Sequence, residues 1–195
     1  KRIIAFELME RECIAQHTIV ACGDQGCDPH NRGTGPLKAD QTIILDIFPR
    51  SSESGYFGDL TRTVVRGRAS DAVRRLHDAV AGAQEVVVGR LKAGADGVEI
   101  HQAVMDHFKG LGYQTGEIDG RMQGFFHGTG HGVGLEVHEP PRISKRGDVM
   151  QPGHVVTVEP GLYYPGVGAV RIEDLVVVTE EGYQNLTECP KILEI

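Results

Sequence analysis

Residues 126–139 decide the fold of this chain, and they read FHGTGHGVGLEVHE. Three histidines in this stretch, His127, His131 and His138, are close enough together to suggest a metal site. A helix is disfavoured, because each of the four glycines would cost about 0.8–1.0 kcal/mol in a helix interior. The stretch therefore predicts extended or looped backbone, and a turn-rich loop with surface histidines explains it as well as a metal site does.

Length and composition predict the class of protein. With 195 residues, 40% of them hydrophobic, the chain predicts one domain, residues 1–195, with a substantial core. Its net charge of −7 and scattered basic residues argue against a nucleic-acid partner. No apolar run approaches the roughly 20 residues that span a bilayer, so no membrane partner is expected. Four cysteines are too few for a disulfide framework, and we expect free thiols in a cytoplasmic protein.

The N-terminal part of the chain predicts little regular structure. A short helix is expected to end near Cys13, and residues 18–22 predict a strand. Residues 23–31 form a polar loop with Gly and Pro, and this loop carries His30. A lone loop histidine is usually solvated, so a role for His30 depends on what the fold places beside it.

Two amphipathic helices are predicted in the middle of the chain. Ser70 can cap the first, whose apolar residues recur every three or four positions until Gly94. Asp96 opens the second, which ends at the glycines at 110 and 112. Both helices are expected to cover a core. Two histidines are expected on the surface of the second helix: His101 and His107.

Two hairpins with acidic residues lie on either side of these helices. Residues 41–48 and 56–65 predict the strands of the first hairpin, which carries Asp46 and Asp59.

The second hairpin is predicted from residues 154–159 and 168–178, and it mirrors the first. It bears Glu159 on its first strand and Glu173-Asp174 on its second, where Asp174 aligns with the aspartate on the second strand of the first hairpin. The chain therefore looks internally duplicated, and two related halves would gather four carboxylates in one cleft.

Four carboxylates on neighbouring strands need compensation, because like charges a few ångströms apart raise one another's pKa. Divalent metal is the simplest compensation, and such ligands favour Mn, Co, Fe or Zn in pairs, with His131 as the candidate imidazole ligand. A pair of metals about 3.5–4 Å apart activates water and clamps a carbonyl, which suits hydrolysis of an amide. Three further histidines could donate hydrogen bonds or transfer protons at such a site: His30, His127 and His138.

Other polar residues have simpler explanations. Arg62 and Arg171 could pair with the carboxylates and orient them, or they could form ordinary salt bridges on a strand surface, worth about 0–1 kcal/mol. Tyr163 and Tyr164 are expected to pack at the turn. The stretch from His138 lacks the second histidine of a zincin helix, and no dinucleotide-binding loop or nucleophile elbow is present.

Five segments together carry a resemblance to a known family: LDIF, FGDLTRT, FFHGTGHGVGLEVHE, VVTVEPGLY and VRIEDLVVV. In this order they resemble the catalytic domain of the pita-bread metallopeptidases, the group of methionine aminopeptidase, aminopeptidase P and prolidase. The resemblance covers nearly the whole chain. It implies an α+β pita-bread fold of two pseudo-duplicated halves, with antiparallel sheet and covering helices.

The resemblance also implies roles for individual residues. It makes Asp46 a ligand of one metal ion, and it makes His131 and Glu159 ligands of the second. Two carboxylates would bridge the ions: Asp59 and Glu173. Glu159 would in addition serve as general base toward the attacking water.

The histidines and one arginine match positions around the substrate. By resemblance, His30 is the loop histidine near the substrate, His138 contacts the substrate carbonyl, and His127 is the histidine typical of the proline-specific branch. Arg142 resembles the prolidase arginine that meets the substrate carboxylate, although a surface loop arginine is the alternative.

These matches favour a metallo-exopeptidase that hydrolyses the N-terminal Xaa-Pro bond of dipeptides or short peptides, with two ions of Mn, Co or Zn as cofactors. Two alternatives remain open, a metal-free creatinase-type hydrolase and a non-catalytic module that binds peptides. Proline-specific members carry a separate N-terminal domain that supports dimerisation. We therefore expect a catalytic domain truncated at its N-terminus, and a homodimer remains open. The loop 49–55 is expected to be longer than usual and to alter the rim of the cleft.

Overall fold

The computed structural model describes all 195 residues. It contains three helices, fourteen strands and a short 3-10 helix at Gly23–Cys27. In chain order the elements are α1 (Arg2–Met9), β1 (Cys13–Ile14), β2 (Ile19–Cys22), β3 (Thr42–Ile47), β4 (Arg50–Ser51), β5 (Leu60–Val65), α2 (Asp71–Val88), α3 (Gly97–Gly110), β6 (Gly116–Ile118), β7 (Arg121–Gln123), β8 (Gly130–Gly132), β9 (Glu139–Ile143), β10 (Val155–Val158), β11 (Gly161–Tyr164), β12 (Gly168–Arg171), β13 (Asp174–Val178) and β14 (Tyr183–Asn185).

Two antiparallel sheets form the centre of the fold. One has three strands in the order β2-β3-β5, and the other has five in the order β14-β13-β10-β8-β9. Three two-stranded ribbons, β1-β4, β6-β7 and β11-β12, complete the strand pairing. Since parallel pairs are absent from these sheets, the predicted antiparallel α+β architecture is confirmed.

A backbone bridge joins the two sheets where β5 lies beside the start of β13. Thr61 of β5 pairs with Glu173, which directly precedes β13. The backbone N–H of Glu173 donates to the Thr61 carbonyl at 3.0 Å. The carboxylate-bearing ends of both sheets therefore meet at this point.

The helices α2 and α3 cover the core of the molecule. Nineteen buried apolar residues from the helices and from strands such as β10, β12 and β13 form the largest apolar cluster. The apolar face predicted for α2 supplies several of them, including Val80, Ala83 and Val87, none of which has exposed surface. Burial of this face accounts for the position of the helix, because about 25 cal/mol is gained for each Å² of apolar surface removed from water.

Local signals set the beginnings of both helices. The Ser70 hydroxyl accepts a hydrogen bond from the Val73 N–H, and the Asp96 carboxylate accepts one from the Val98 N–H. Both caps were predicted. The end of α2 was not, since the helix stops at Val88 and the apolar pattern up to Gly94 continues in a turn.

Other predicted boundaries also need correction. The first helix ends at Met9 rather than near Cys13, and β5 begins at Leu60 rather than at residue 56. The strand predicted for 168–178 is two strands, because the chain leaves the β11-β12 ribbon after Arg171 and then joins the five-stranded sheet.

The glycine-rich stretch is extended, as predicted. Gly130–Gly132 forms β8 between β10 and β9. A Cβ atom at Gly130 would overlap the carbonyl oxygen of Thr157, and one at Gly132 would overlap that of Pro140. These glycines therefore make room for neighbouring strands, which approach the β8 backbone closely.

The predicted free thiols are confirmed, since all four cysteines are unpaired. None of the helices has the length and apolar character that a membrane crossing requires.

Candidate active site

A polar cavity of about 340 Å³ opens between the two sheets. Eight of the nine residues predicted as site residues line it: His30, Asp46, Asp59, His127, His131, His138, Glu159 and Glu173. The ninth, Arg142, is absent from its lining. Residues that the sequence did not single out also contribute, among them His17, Ile19, Pro29, Arg32 and Phe48.

Each carboxylate in the cavity lies at the end of a strand. Asp46 is the penultimate residue of β3, and Asp59 directly precedes β5. Glu159 directly follows β10, and Glu173 directly precedes β13. Hairpin geometry brings these strand ends together, so residues more than 100 positions apart share one cavity.

Three of the predicted ligands form a compact cluster. One ligand atom from each of Asp59, His131 and Glu173 lies within 4.8 Å of the others. The Nε2 atom of His131 is 3.7 Å from a carboxylate oxygen of Asp59 and 3.5 Å from one of Glu159. These distances leave space for a cation between the groups, because direct hydrogen bonds would be shorter.

The carboxylates of the cluster are buried close together and repel one another. Burial and the neighbouring Glu173 raise the pKa values of Asp59 and Glu159 well above their ordinary values. Burial and the Asp46 carboxylate raise the pKa of Glu173 from 4.5 to about 7. Carboxylates that repel one another in this way are suited to divalent cations, which favour oxygen ligands and would cancel the repulsion.

His131 has the protonation state that a metal ligand needs. Burial and the nearby His138 lower the pKa of His131 to about 4, so its ring is neutral near pH 7. Its Nδ1 lies 3.1 Å from the Gly132 carbonyl oxygen, which can only accept, so Nδ1 donates. The lone pair is therefore on Nε2, which faces the carboxylates, and the donor set of one imidazole and several carboxylates fits a divalent metal.

Two histidines at the mouth of the cavity are exposed. His30 follows the short 3-10 helix, and its backbone N–H donates to the Asp28 carboxylate at 3.2 Å. The rings of His138 and His131 are nearly perpendicular, with centroids 4.2 Å apart. Partial burial and the nearby His30 lower the pKa of His138, which favours a neutral ring. Both histidines are thus accessible to a molecule that enters the cavity.

His127 is held by the protein on both sides of its ring. Its Nδ1 lies 2.7 Å from the Gly128 carbonyl oxygen, and its Nε2 lies 2.8 Å from the Tyr163 hydroxyl. The carbonyl can only accept, so Nδ1 donates and Nε2 accepts the tyrosine proton. Burial and the Arg171 charge lower the pKa of His127 to about 3. Its predicted role in proton transfer stays a prediction, and it would require one of these bonds to open.

A buried chain of hydrogen bonds links His127 to a predicted metal ligand. The Arg171 guanidinium donates to the Tyr163 hydroxyl at 2.9 Å and to the Asp46 carboxylate at 2.6 Å. Arg171 thus pairs with a site carboxylate and orients it. This agrees with the first of the two alternatives predicted for Arg171 and not with a salt bridge on a strand surface. Tyr163 was expected only to pack at a turn, but it has no exposed surface and lies inside this chain. Its partner His127 is 36 positions away, so no local pattern indicated this contact.

Arg62 does not serve the cavity in the same way. Its guanidinium pairs with Asp174 at 2.7 Å and donates to the Glu173 carbonyl at 2.7 Å. It also donates to the carbonyls of Cys189 and Pro190 in the C-terminal segment. Arg62 therefore ties β5 to β13 and to this segment, and it contacts none of the four site carboxylates.

Arg142 lines an adjoining basic pocket of about 300 Å³. The pocket also contains Lys145 and Arg146, and it shares His127 and Gly128 with the main cavity. The guanidinium of Arg142 is exposed and forms no ion pair within the chain. An anion bound there would be adjacent to the carboxylate cavity rather than within it.

One expectation about surface histidines is wrong. His101 is 3% exposed, and its Nδ1 lies 2.8 Å from the hydroxyl of Thr129, next to β8. Its ring packs against Phe125 with centroids 5.6 Å apart. The helix α3 turns this residue toward the five-stranded sheet. His107 is partly buried, with its Nε2 3.1 Å from the Ala79 carbonyl oxygen.

Known proteins share this fold and much of the sequence. The sequence model of metallopeptidase family M24 matches residues 2–180. The chain is 40% identical over 179 residues to the uncharacterized peptidase YqhT of Bacillus subtilis, an alignment that covers 91% of this chain and 48% of that protein. It is 35% identical over 178 residues to the Xaa-Pro dipeptidase of Pyrococcus furiosus, covering 90% of this chain and 48% of that protein.

Among solved structures, the chain is similar to the X-Pro aminopeptidase from Thermotoga maritima, with a TM-score of 0.89 and 32% identity. That alignment covers 100% of this chain and 54% of the other. The chain spans about half the length of the curated relatives it matches.

Proposed function

The chain belongs to metallopeptidase family M24 and has the pita-bread fold, and we propose that it hydrolyses the N-terminal Xaa-Pro bond of dipeptides or short peptides with two divalent metal ions. The observation that carries the proposal is the cluster of Asp59, His131 and Glu173, whose ligand atoms lie within 4.8 Å of one another. The names of the relatives supply the substrate class, since Xaa-Pro dipeptidases and an X-Pro aminopeptidase are among them. In this proposal residues 1–195 are one catalytic domain.

Five residues would hold the metal ions. Asp46 would bind one ion, His131 and Glu159 the other, and Asp59 and Glu173 would bridge them. Bound divalent ions would polarise the peptide carbonyl and lower the pKa of the attacking water. The raised pKa values of Asp59, Glu159 and Glu173 support this assignment, because the carboxylates lack a countercharge of sufficient size.

The remaining residues would bind and orient the peptide. Glu159 would take the proton of the attacking water, since its carboxylate lines the cavity and is close to His131. His30 and His138 are exposed at the mouth and would donate hydrogen bonds to the carbonyl oxygen as negative charge develops on it. Arg142, with its unpaired guanidinium, would meet the carboxylate of the substrate.

Metal content and hydrolysis test the proposal together. The chain is stripped with chelator, reloaded with Mn²⁺, and analysed for bound metal by mass spectrometry and for release of proline from an Ala-Pro dipeptide. We expect about two ions per chain and activity that chelator abolishes. Glu159→Gln should lose activity, whereas Glu180→Gln, at an exposed position outside the cavity, should keep it. A chain that binds no metal contradicts the proposal and leaves the metal-free hydrolase and the peptide-binding module as explanations.

The choice between dipeptides and longer peptides depends on Arg142. If it meets the C-terminal carboxylate, Arg142→Ala should raise KM for Ala-Pro far more than for Ala-Pro-Ala-Ala. Because the lost contact is a charge-assisted hydrogen bond, the difference should be roughly 10-fold or more. Equal changes in KM for both substrates would contradict specificity for dipeptides.

A further inference from the structure

Gln84 is a buried polar residue on the apolar face of α2. It is 2% exposed and lies next to Ala83 and one turn from Val80 and Val87, which are fully buried. A buried amide among apolar side chains costs free energy unless its polar atoms are hydrogen-bonded. The amide of Gln84 therefore needs hydrogen-bond partners, and it has two.

Both partners are carbonyl groups next to predicted metal ligands. The Gln84 Nε2 donates to the Val158 carbonyl at 2.9 Å and to the Ile172 carbonyl at 3.1 Å. Carbonyl oxygens only accept, so the amide nitrogen, not the oxygen, must face them. Val158 directly precedes Glu159, and Ile172 directly precedes Glu173. One side chain thus bridges the two peptide groups that lead into two carboxylates of the cavity.

The other end of each peptide group is also fixed. The N–H of Glu159 donates to the Thr129 carbonyl at 2.8 Å, and the N–H of Glu173 donates to the Thr61 carbonyl at 3.0 Å. A peptide group is planar, so bonds at both its oxygen and its nitrogen fix the orientation of the plane. Pairing between β10 and β13 ends at Val158 and Asp174. The hydrogen bonds of Gln84 therefore connect the two chain segments at the point where strand pairing stops.

Stability alone does not explain why a glutamine occupies position 84. The Oε1 atom of Gln84 is buried and has no hydrogen-bond partner. An unpaired buried oxygen costs free energy, which offsets part of what the two Nε2 bonds contribute. An apolar side chain of the same length would carry no unpaired oxygen, but it would remove the donor of the Val158 and Ile172 carbonyls.

We propose that Gln84 is a positioning residue that fixes the separation and orientation of Glu159 and Glu173. This inference rests on the proposed function for its metal readout, but the contacts themselves are independent of metal. Removing Gln84 leaves the carboxylates in place and frees the two peptide groups that carry them. Residues that orient metal ligands without touching the metal typically change metal affinity by 10–100-fold when replaced.

The test uses the 195-residue chain with three substitutions. Gln84→Met keeps the length and removes the donors. Gln84→Asn keeps an amide but is one methylene too short to span both carbonyls. Val87→Ala is the control, because it opens a cavity on the same helix face and removes no hydrogen bond. Mn²⁺ binding to the metal-free proteins is measured by calorimetry, and thermal unfolding of the same samples by circular dichroism.

We expect Gln84→Met to bind Mn²⁺ 10–100-fold more weakly and to unfold at a lower temperature without metal, because two buried carbonyl oxygens lose their donor. Val87→Ala should unfold at a lower temperature and bind Mn²⁺ as the wild type does. Gln84→Asn should also bind Mn²⁺ more weakly than the wild type. It provides the test of the inference if Gln84→Met does not fold. Wild-type affinity in either folded variant at position 84 overturns the inference.

Hydrogen exchange separates this inference from the proposed function. The amide protons of Glu159 and Glu173 should exchange at least 10-fold faster in Gln84→Met than in Val87→Ala, even if the wild-type chain binds no metal. A wild-type chain without metal affinity would refute the proposed function only. Unchanged exchange in Gln84→Met would refute the positioning role, whether or not metal binds.

Discussion

Replacing a predicted metal ligand should stabilise the metal-free protein. In Glu173→Gln the amide oxygen can still accept the hydrogen bond that the Thr61 hydroxyl donates at 2.7 Å. The substitution removes one negative charge from a buried group of carboxylates that includes Asp46 and Asp59. It therefore relieves repulsion and keeps the main polar contact of the side chain.

The size of the effect follows from the pKa of Glu173, which is raised from 4.5 to about 7. At about 1.4 kcal/mol for each pKa unit, ionisation of Glu173 in the folded protein costs about 3 kcal/mol. The folded protein holds this proton more tightly than the unfolded chain. The contribution of protonated Glu173 to the free energy of unfolding is therefore complete below pH 4.5, and it is lost as the pH rises through 7.

The predicted quantity is the difference in unfolding temperature between Glu173→Gln and the wild type at each pH. Neutral buried histidines such as His127 and His131 act in the opposite sense, because their contribution is lost as the pH falls below 6.5. This effect is common to both proteins and cancels. At pH 8 Glu173→Gln should unfold roughly 6–12 °C above the wild type, and at pH 4.5 the two should unfold at the same temperature.

Thermal unfolding followed by circular dichroism in the presence of chelator measures this difference. Glu180→Gln is the control for loss of a negative charge at an exposed position, and it should track the wild type at both pH values. With saturating Mn²⁺ the order should reverse, because the wild type gains more binding free energy than a chain that lacks one ligand. Equal unfolding temperatures of Glu173→Gln and wild type at pH 8 without metal would refute the reasoning.

Three further substitutions or titrations test other parts of the structure. Tyr163→Phe should lower the free energy of unfolding by about 1–3 kcal/mol in denaturant titrations, because it leaves an N–H of the buried Arg171 unpaired. The NMR shift of the His127 Hε1 proton should stay constant from pH 5 to pH 8, because burial lowers its pKa to about 3; a titration step near pH 6.5 would contradict this. Ser70→Ala should cost about 1 kcal/mol of stability, since it removes the cap on the Val73 N–H, whereas Ser70→Gly should cost only a few tenths.

Elements set by local chemistry were predictable from the sequence. The caps at Ser70 and Asp96 and the apolar face of α2 are short-range signals, and the structure has both helices. The prediction of extended or looped backbone for the glycine-rich stretch is confirmed, since it contains the short strand β8 with loop on either side. Its glycines, however, accommodate neighbouring strands such as those at Thr157 and Pro140, and which strands pass there depends on the tertiary fold.

Sheet register shows why the rest could not be predicted locally. The alignment of the two hairpins matched Asp59 with Asp174, yet Asp174 pairs with Arg62 and its neighbour Glu173 faces the cavity. Successive side chains on a strand point to opposite faces, so a shift of one residue exchanges a cavity residue for a structural one. Only the family motif, which includes Glu173 as a ligand, distinguished the two positions.

Buried polar residues are a second class that local patterns miss. Gln84 interrupts an apolar helix face, and its partners lie 74 and 88 positions away. Tyr163 bonds to His127, 36 positions away. Gln84 was not singled out from the sequence; a polar residue in an apolar stripe is the one local signal at this position, and it does not indicate the partners.

Residues that line the cavity also hold the neighbouring strands together, so the stability of the fold and the geometry of the site depend on the same contacts. Thr61 of β5 holds Glu173 through a backbone and a side-chain hydrogen bond, at 3.0 and 2.7 Å. Arg171, the last residue of β12, pairs with Asp46 on β3. Since each bond leaves a buried polar group unpaired when it breaks, the carboxylates cannot move apart without a large cost. Substitutions of Thr61 or Arg171 should therefore change stability and metal affinity together. Gln84 bridges the peptide groups that lead into Glu159 and Glu173, so its replacement should weaken metal binding beyond what the accompanying loss of stability explains.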